Sequence, residues 1–362
     1  MQLAAQRIRA GKLVAFPTET VYGLGADATS TRAVQRVFRA KGRPSNNPLI
    51  VHVASVQQAK QVVSVWPKEA SMLARAFWPG PLTMVLPKAK RVSKLATAGQ
   101  ESVGVRCPDH PVARALLRAC DVPLVGPSAN ISGSVSPTQA DDVRAAFDED
   151  TVMVLDGGPC KVGIESTVVS LLGCVDGSGA PVVLRPGVIS QADIDRVLGV
   201  RVKQGRRDRA ARDEAAEKLL AKRNASSGGD NSGPLLSPGL LTKHYAPKIP
   251  LEVVPTLAAL QALLRKRIQA TKQQTRGKAK RVPKCLVIAH CAERSVKDLL
   301  MAGDGFARMP KDARQYAQVL YHALHQTLWF ERMVLLAPPS GGAASAVWEA
   351  IHDRLRRASA KG

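Results

Sequence analysis

The sequence has no run of about twenty consecutive apolar residues, which is the length that a membrane-spanning helix requires. Six cysteines occur among the 362 residues, none of them in a C-x-x-C pair, and a chain of this length can fold without disulfide bonds. Aromatic residues are scarce at 4%, yet the hydrophobic fraction of 45% is sufficient for real cores. We therefore expect a reduced, cytoplasmic protein without a membrane span and without disulfide staples.

Several common catalytic motifs are also absent. The sequence contains no Walker G-x-x-x-x-G-K-[ST], no G-x-G-x-x-G after a strand, no Cys/His set with zinc spacing, and no G-x-S-x-G around Ser128. The polar inventory that remains consists of cations, amides and hydroxyls with no obvious nucleophile. Such an inventory suits phosphoryl or nucleotidyl transfer between two bound substrates, because that chemistry depends on positioning and charge neutralisation.

The net charge of +23 is unevenly distributed along the chain. Residues 1–200 carry 22 Lys/Arg against 16 Asp/Glu, whereas residues 201–362 carry 30 against 13. A basic excess attracts phosphate-bearing partners but does not identify one. The densest run, residues 265–284, contains no acidic and no aromatic residue. Its composition predicts a solvated loop, with direct RNA contact as the alternative.

The chain length suits two domains, and short apolar runs alternate with helical patterns in both halves. Between them, residues 203–234 are charged, alanine-rich and then linker-like, and a Pro-bounded extended segment follows. We read residues 2–10 as a first helix and not as a targeting peptide. Predicted strands are 13–16, 49–53, 82–86, 103–106, 124–126, 153–155, 167–171, 182–185, 251–254, 285–289 and 333–336; further predicted helices are 31–40, 56–63, 68–77, 111–119, 138–146, 256–268, 312–330 and 346–357.

Six polar loops are predicted at strand ends. They are "PTETVYGLGAD", read as a turn over 17–27, and "KGRPSNN", "VGVRCPDHP", "GPSANISGSVSPT", "GIESTVVSL" and "VLRPG". Each alone is ordinary turn chemistry, and His52 on its alternating strand is by pattern a half-buried structural residue. Six together are more informative, because open α/β sheets bind ligands where such loops converge.

These loops, together with "WPGPLTMVL" and "LRPGVI", resemble the YrdC-type threonylcarbamoyl-AMP synthases, and the resemblance is collinear over about residues 5–198. Lys41-Gly42-Arg43 with Ser128-Ala129-Asn130 is similar to that family's K-x-R…S-x-N signature. Further along, "SPGLLTKHYAP" resembles the linker of the long, two-domain form, and "AIHDRLRRA" resembles the end of its second domain.

The resemblance implies a nucleotidyltransferase that makes threonylcarbamoyl-AMP and pyrophosphate from L-threonine, bicarbonate and ATP, with Mg²⁺ accompanying the ATP. The product would pass to the machinery that places threonylcarbamoyl on tRNA adenosine. The implied fold is α/β: a YrdC-like twisted mixed sheet with surrounding helices, plus a smaller Rossmann-like C-terminal domain. The expected divisions are a catalytic domain over 1–202, a linker crossing the active site over 203–250, and a small α/β domain over 251–362.

Carried over residue by residue, the family pattern implies two groups of binding residues. No carboxylate stands out as a ligand of Mg²⁺. Lys41 and Arg43 are also the expected catalytic cations, because they would stabilise charge on the leaving pyrophosphate. The expected threonine site is Thr20, His52, Arg106 on the carboxylate, and Ser166; the expected ATP site is Lys41, Arg43, Asn47, Ser102, Ser128, Asn130, Ser136 and Arg185, with Tyr245 closing over it.

Two alternatives remain open at this point. One is a relative that handles carbamoyl-adenylate in hydrogenase maturation, although the additional modules of that role are missing from this sequence. The other is an RNA-binding module without catalysis. The segment 203–234 is longer than the family's usual linker, and the run 265–284 has the composition of a local insertion.

Overall fold

The computed structural model describes residues 1–204, 244–274, 283–341 and 345–360. We call the part up to residue 204 the N-terminal domain and the part from residue 251 the C-terminal domain. The first contains a ten-stranded mixed sheet and the second a four-stranded parallel sheet. The predicted α/β class, with a Rossmann-like second domain, is confirmed. Most of the predicted linker, residues 205–243, lies outside the described residues, and the predicted domain boundaries stay predictions.

The large sheet has the strand order β10-β9-β8-β4-β5-β3-β6-β2-β1-β7. Its strands are β1 (Leu13–Phe16), β2 (Gly23–Asp27), β3 (Ile50–His52), β4 (Leu82–Pro87), β5 (Ser102–Arg106), β6 (Leu124–Val125), β7 (Val152–Val154), β8 (Thr167–Ser170), β9 (Val182–Arg185) and β10 (Lys203–Gln204). The helices around it are α1 (Gln2–Arg9), α2 (Thr31–Lys41), α3 (Val56–Val62), α4 (Lys68–Phe77), α5 (Pro111–Cys120), α6 (Ala140–Arg144), α7 (Leu172–Asp176) and α8 (Gln191–Leu198).

The small sheet has the order β11-β14-β12-β13, and all of its pairings are parallel. Short 3₁₀ turns occupy Glu293–Ser295 and Lys297–Leu299. No helix in the described ranges is long and apolar enough to cross a membrane. The elements are β11 (Leu251–Val254), α9 (Leu257–Gln274), β12 (Cys285–Ala289), β13 (Gly305–Arg308), α10 (Ala313–His325), β14 (Arg332–Leu336) and α11 (Ser345–Ala358).

Helix α2 delivers the K-G-R motif to the sheet. Ser30 caps its start by accepting a hydrogen bond from the Ala33 amide at 3.3 Å. The helix ends at Gly42, whose φ of +58° is a left-handed conformation that glycine adopts without strain. Lys41 therefore lies on the last turn of the helix and Arg43 immediately after it, where both side chains can enter the space beside β3.

The predicted turn over 17–27 is wrong in its second half, because residues 23–27 form strand β2, antiparallel to β1. The two glycines that suggested a turn are needed for this pairing. A Cβ at Gly25 would lie 2.9 Å from the Val14 carbonyl oxygen and 3.0 Å from the Phe16 ring. Glycine here serves the close approach of two strands, and only residues 17–22 are left as the loop.

Other differences concern helix ends and short elements. The basic run 265–284 was expected to be a loop, but its residues up to Gln274 continue helix α9; residues 275–282 lie outside the described residues. The helix expected over 312–330 ends at His325, and the one expected over 138–146 covers only Ala140–Arg144. Strands β10 and β13 and helices α7 and α8 were not predicted, although Ser190 and Asp193 form a capping box at the start of α8.

The two domains share part of a hydrophobic core. Val21, Val135, Ile164 and Tyr245 pack into the cluster that is otherwise built from the C-terminal domain. The main core of the N-terminal domain is a separate cluster between the large sheet and its helices. The loops at one edge of the large sheet are therefore covered by the C-terminal domain, and the candidate site lies there.

Candidate functional site

A cavity opens between the predicted strand-end loops. The expected residues separate into three groups around it. Eight of the thirteen line the cavity, four are hydrogen-bonded within its walls, and Ser102 is elsewhere. The lining residues are Thr18, Thr20, Val21, Gly23, Arg43, Ile50, His52, Arg106, Gly126, Pro127, Ser128, Glu165, Ser166, Arg185, His244 and Tyr245.

Arg106 ends strand β5 and is 4% exposed. Its Nη1 donates to the Thr20 hydroxyl at 2.8 Å, and its Nη2 lies 2.7 Å from Glu19 Oε2. Its Nε donates to the Gly80 carbonyl at 3.3 Å. The guanidinium is thus fixed at the cavity wall by a hydroxyl and a carboxylate, and it can bind a ligand carboxylate through two N–H groups.

His52 is directly opposite Arg106 in the parallel β3–β5 pairing. It is only 2% exposed, so the half-buried position suggested by its strand pattern is wrong. A Cβ at Gly126 would lie 2.6 Å from His52 Nδ1, so the glycine makes room for the imidazole. Burial, and then the charge of Arg106, lowers the pKa of His52 to about 3. The ring is neutral at pH 7 and can accept or donate a hydrogen bond without adding charge.

Ser166, which directly precedes β8, and Arg185, at the end of β9, approach each other. Arg185 donates from Nε and Nη2 to the Ser166 carbonyl at 3.1 and 3.0 Å. The Ser166 hydroxyl lies 2.8 Å from the Thr83 hydroxyl and 3.2 Å from Arg185 Nη2. This arrangement places a hydroxyl and a cation together at the cavity wall.

The K-x-R and S-x-N motifs are joined by Lys41. Its Nζ donates to the carbonyls of Ser128 and Asn130 at 2.6 and 2.5 Å. Arg43 donates from Nη2 to Asn47 Oδ1 at 2.6 Å and from Nε to the Asn47 carbonyl at 3.0 Å. Lys41 and Asn47 therefore act within the wall, whereas Arg43 and Ser128 line the cavity itself.

Within the described part of the chain, neither cation of this motif has an anionic partner. Lys41 is 1% and Arg43 8% exposed, and no carboxylate within the described ranges lies at ion-pair distance from either. Burial, and for Lys41 also the charge of Arg43, lowers the pKa of both groups. Buried cations that have no counter-ion among the described residues are costly, so the site favours an anionic ligand.

The remaining expected residues have structural partners. Asn130 donates from Nδ2 to the carbonyls of Ile131 and Ser134, and Ser136 donates to Glu165 Oε1 at 2.7 Å. Ser102 begins strand β5, at the end opposite Arg106, and lines a smaller neighbouring cavity. Ser102 and Arg106 are four residue steps apart along the strand, or roughly 13 Å, so Ser102 is not part of the main cavity.

The segment after the linker reaches the cavity through His244 and Tyr245. Tyr245 is 1% exposed, has φ +64°, and stacks on Tyr321 of the C-terminal domain with ring centroids 5.6 Å apart. The Ala246 amide donates to the Gly133 carbonyl at 2.9 Å and attaches the segment to the S-x-N loop. Burial lowers the pKa of His244 to about 3, so this ring is neutral as well.

Four contributors were missed from the sequence: Glu19, Glu165, His244 and Arg354. Glu165 lies within "GIESTVVSL", directly before the predicted site residue Ser166. The available signal was a carboxylate next to a predicted site residue at the start of a strand. Arg354 offered no such signal, because its contact with Glu165 joins positions 189 residues apart.

No group of three or more His, Cys, Asp or Glu residues that could hold a metal ion occurs in the described part of the chain. The two acidic side chains next to the cavity are already engaged, Glu19 with Arg106 and Glu165 with Arg354. These residues do not fit a resident Mg²⁺ site formed by the protein alone.

Two family models together cover nearly the whole chain. One, described as "Telomere recombination" (Sua5/YciO/YrdC), matches residues 6–187, and one described as "Threonylcarbamoyl-AMP synthase, C-terminal domain" matches residues 189–360. The chain is 44% identical over 252 residues to the threonylcarbamoyl-AMP synthase of Bacillus subtilis, which is 69% of this chain and 65% of that protein. It is 42% identical over 255 residues to the threonylcarbamoyl-AMP synthase of Pyrococcus abyssi, 70% of this chain and 67% of that protein.

Among solved structures, Sua5 from P. abyssi in complex with L-threonine superimposes with a TM-score of 0.79 at 34% identity. The match covers 99% of this chain and 93% of that one. The sequence matches thus span about two thirds of the curated relatives, and the structural match extends over both domains.

Proposed function

Because this chain belongs to the Sua5/YciO/YrdC family of threonylcarbamoyl-AMP synthases, in its two-domain form, we propose that it makes threonylcarbamoyl-AMP and pyrophosphate from L-threonine, bicarbonate and ATP. One observation carries the proposal: Lys41 and Arg43 are buried cations without a carboxylate partner in the described part of the chain. Arg43 lines the same cavity as Arg106, which is suited to a carboxylate. In this proposal Arg43 marks the polyanion side of the cavity and Arg106 its amino-acid side.

Threonine binds with its carboxylate on Arg106. Thr20 and His52 flank this guanidinium and can bond the hydroxyl and amine of the substrate, and Ser166 faces the reacting end. A neutral His52 keeps the amino-acid side from accumulating a second cation. The support for this assignment is the geometry of the side chains together with the relative of known structure, which is a complex with L-threonine.

ATP binds with its phosphates toward Arg43, Ser128 and Arg185. The amine of threonine first forms a carbamate with CO₂ derived from bicarbonate, releasing a proton. A carbamate oxygen then attacks the α-phosphorus, the bond from that phosphorus to the β-phosphate oxygen breaks, and pyrophosphate leaves. Arg43 and Arg185 bind oxygens of the phosphates, and their charge stabilises the negative charge that develops on the leaving group. Lys41 keeps the S-x-N loop in place for this contact.

Mg²⁺ enters this site with ATP, as part of the substrate, and its ligands are phosphate oxygens and water. The adenylate product passes to the enzymes that modify tRNA adenosine, in the cytoplasm. Direct contact with RNA is a weaker proposal that rests on the basic excess of the second half of the chain.

The test is pyrophosphate release from ATP by the full chain, with and without L-threonine and with and without bicarbonate. Release that requires both co-substrates is expected, and Arg43→Ala should lower it by at least about a hundredfold, in the range seen when a charge-stabilising donor is removed. Arg39→Ala is the matched control, because Arg39 is an exposed cation on the last turn of helix α2, just before Arg43. Release that is independent of threonine, or none at all, would contradict the proposal.

A further inference from the structure

One segment of the N-terminal domain, residues 163–166, is embedded in the C-terminal domain. Ile164 is fully buried in the core cluster of that domain. Gly163 has φ +77°, and a Cβ at this position would lie 2.4 Å from the Ala317 carbonyl oxygen of helix α10. The backbones of the two domains are therefore in direct contact immediately before Ser166, a residue that lines the cavity.

Within this segment, Glu165 joins the S-x-N loop to the C-terminal domain. Its carboxylate accepts hydrogen bonds from Ser136 at 2.7 Å, from the Tyr321 hydroxyl at 3.0 Å and from Arg354 Nε at 3.1 Å. Burial alone would raise the pKa of Glu165, but Arg354, Arg185 and the Ser136 hydrogen bond bring it to about 2. The carboxylate is therefore ionised, and each of its partners comes from a different part of the chain.

Arg354, on helix α11, is 1% exposed and binds more than this carboxylate. Its Nη2 donates to the backbone carbonyl of Glu165 at 3.3 Å, and its Nη1 donates to the carbonyl of Pro186 at 2.6 Å. Glu165 directly precedes Ser166, and Pro186 directly follows Arg185. One guanidinium of the C-terminal domain thus holds the backbone beside both residues.

Stability alone is a poor explanation for this arrangement. A buried ion pair can often be replaced by apolar residues of similar volume without loss of stability. What an apolar pair could not do is hold two carbonyl groups and a carboxylate in one plane, which a guanidinium does with its fixed N–H directions. The role that fits these contacts is that the Glu165–Arg354 pair fixes the positions of Ser166 and Arg185.

We propose that Arg354 is a positioning residue of the pocket, which acts through Glu165 and Pro186 to hold Ser166 and Arg185 at the junction between the two substrates. The C-terminal domain is on this proposal a structural part of the active site. The identity of the two ligands rests on the function proposed above, whereas the positioning itself does not.

The experiment compares the wild-type chain with Arg354→Met, Glu165→Gln and the double variant Glu165→Leu/Arg354→Met. Arg332→Gln is the matched control, because Arg332 forms an Arg–Glu pair with Glu252 at the same kind of distance, 3.0 Å, within the C-terminal domain. Two readouts are used: amide hydrogen exchange of residues 164–189, which needs no activity, and the KM for L-threonine and ATP in pyrophosphate release.

We expect faster amide exchange in residues 164–189 in all three variants. We also expect KM values raised about tenfold to a hundredfold with a smaller change in kcat, because misplaced binding groups weaken ground-state and transition-state binding together. The double variant should fold and still show the raised KM, which separates positioning from stability. If Arg354→Met does not fold, Arg354→Lys carries the same test, since it keeps the charge but cannot bond all three acceptors.

Exchange and KM values equal to those of wild type in a folded Arg354 variant would overturn the proposal. Faster exchange in the variants, together with a wild-type chain that releases no pyrophosphate, would retain the positioning role and reject the proposed reaction.

Discussion

Arg106 has a counter-ion of its own within the protein. Glu19 lies 2.7 Å from it, both side chains are about 95% buried, and neither oxygen of Glu19 has a hydrogen-bond partner in the described part of the chain. Glu19 neutralises a charge that would otherwise be buried alone, and the carboxylate of threonine would face the same guanidinium. The two carboxylates therefore act on one cation from different sides.

Glu19→Gln keeps the shape of the side chain and removes its charge. The variant should lose about 3 kcal/mol or more of stability without ligand, because a buried cation is left unpaired. L-threonine should raise the Tm of the variant by more than that of wild type, because its carboxylate then supplies the missing counter-charge. Thermal unfolding with and without L-threonine measures both effects.

Glu252→Gln, which breaks a half-exposed pair with Arg332, serves as the control and should change stability by about 1 kcal/mol or less. An equal threonine-induced shift in Glu19→Gln and wild type would count against Glu19 as the counter-ion.

His52 and His244 set the acid sensitivity of the pocket. Burial lowers the pKa of each from its ordinary value of 6.5 to about 3. Because the unfolded chain takes up these protons first, the stability that the neutral rings contribute is present above pH 6.5 and is lost as the pH falls from 6.5 toward 3. In this window each ring should lower the free energy of unfolding by about 1.4 kcal/mol for every unit by which the pH falls.

Denaturant unfolding at pH 7.5 and pH 5.5 tests this slope. His52→Asn should reduce the slope of the unfolding free energy against pH by about the contribution of one histidine. His322→Asn, at an exposed position, should leave this slope unchanged. A His52→Asn variant with the wild-type slope would show that His52 is not buried as a neutral ring.

The residues that could be predicted from the sequence are those that end or begin a strand. Arg106, Ser166 and Arg185 follow from the alternation of apolar runs with polar loops, and the family resemblance added their partners. The roles of Glu19 and Arg354 could not be predicted, because each depends on a charge brought from a distant part of the chain. Periodicity describes which way a side chain faces on its own element, but it carries no information on which distant charge it meets.

At the scale of elements, the alternating pattern located most strands of the large sheet to within one or two residues. Strand β2 was missed because it contains two glycines, and glycine is depleted in strands in general. Here the close approach of the Phe16 ring requires glycine at both positions. Helix α9 was cut short in the prediction because the cations from Arg265 onward were read as a solvated loop. Cations on an exposed helix face and cations in a loop have the same composition.

Gly163 tests the contact between elements of the two domains. Gly163→Ala adds a methyl group against the backbone of helix α10 and should lower stability by about 3 kcal/mol or more, as strain and overpacking combine. Gly158→Ala is its matched control, because Gly158 has the same φ of +77° but no atom within 4 Å of the added Cβ.

The control should lose only about 1–2 kcal/mol from left-handed strain. Denaturant unfolding of the two variants gives the difference, which isolates the contact with α10. Equal losses would mean that the domains do not pack as closely at this point.

For the whole molecule, the shared core predicts that the two domains unfold together. Val21, Ile164 and Tyr245 belong to the C-terminal core cluster although they come from the N-terminal domain and the end of the linker. Calorimetry of the wild-type chain should therefore show one unfolding transition. ATP contacts only one side of the domain interface in our proposal, yet it should raise the temperature of the whole transition.

Ile164→Ala should remove about 2–5 kcal/mol from the shared core and separate this transition into two. Val51→Ala, at a fully buried position in the N-terminal core, should lower the Tm but keep a single transition. Two transitions in the wild-type chain would contradict the coupling.

The bond between Glu165 and Arg354 also has a consequence for the timing of synthesis. The ribosome makes the large sheet first, and its strands can pair as soon as residue 204 has emerged. Helix α11 is made about 150 residues later, and only then do the loops before Ser166 and after Arg185 receive the guanidinium that holds them. A nascent chain on this view carries a folded sheet with an incomplete pocket, and the pocket reaches its full affinity for the proposed substrates only when translation is almost finished.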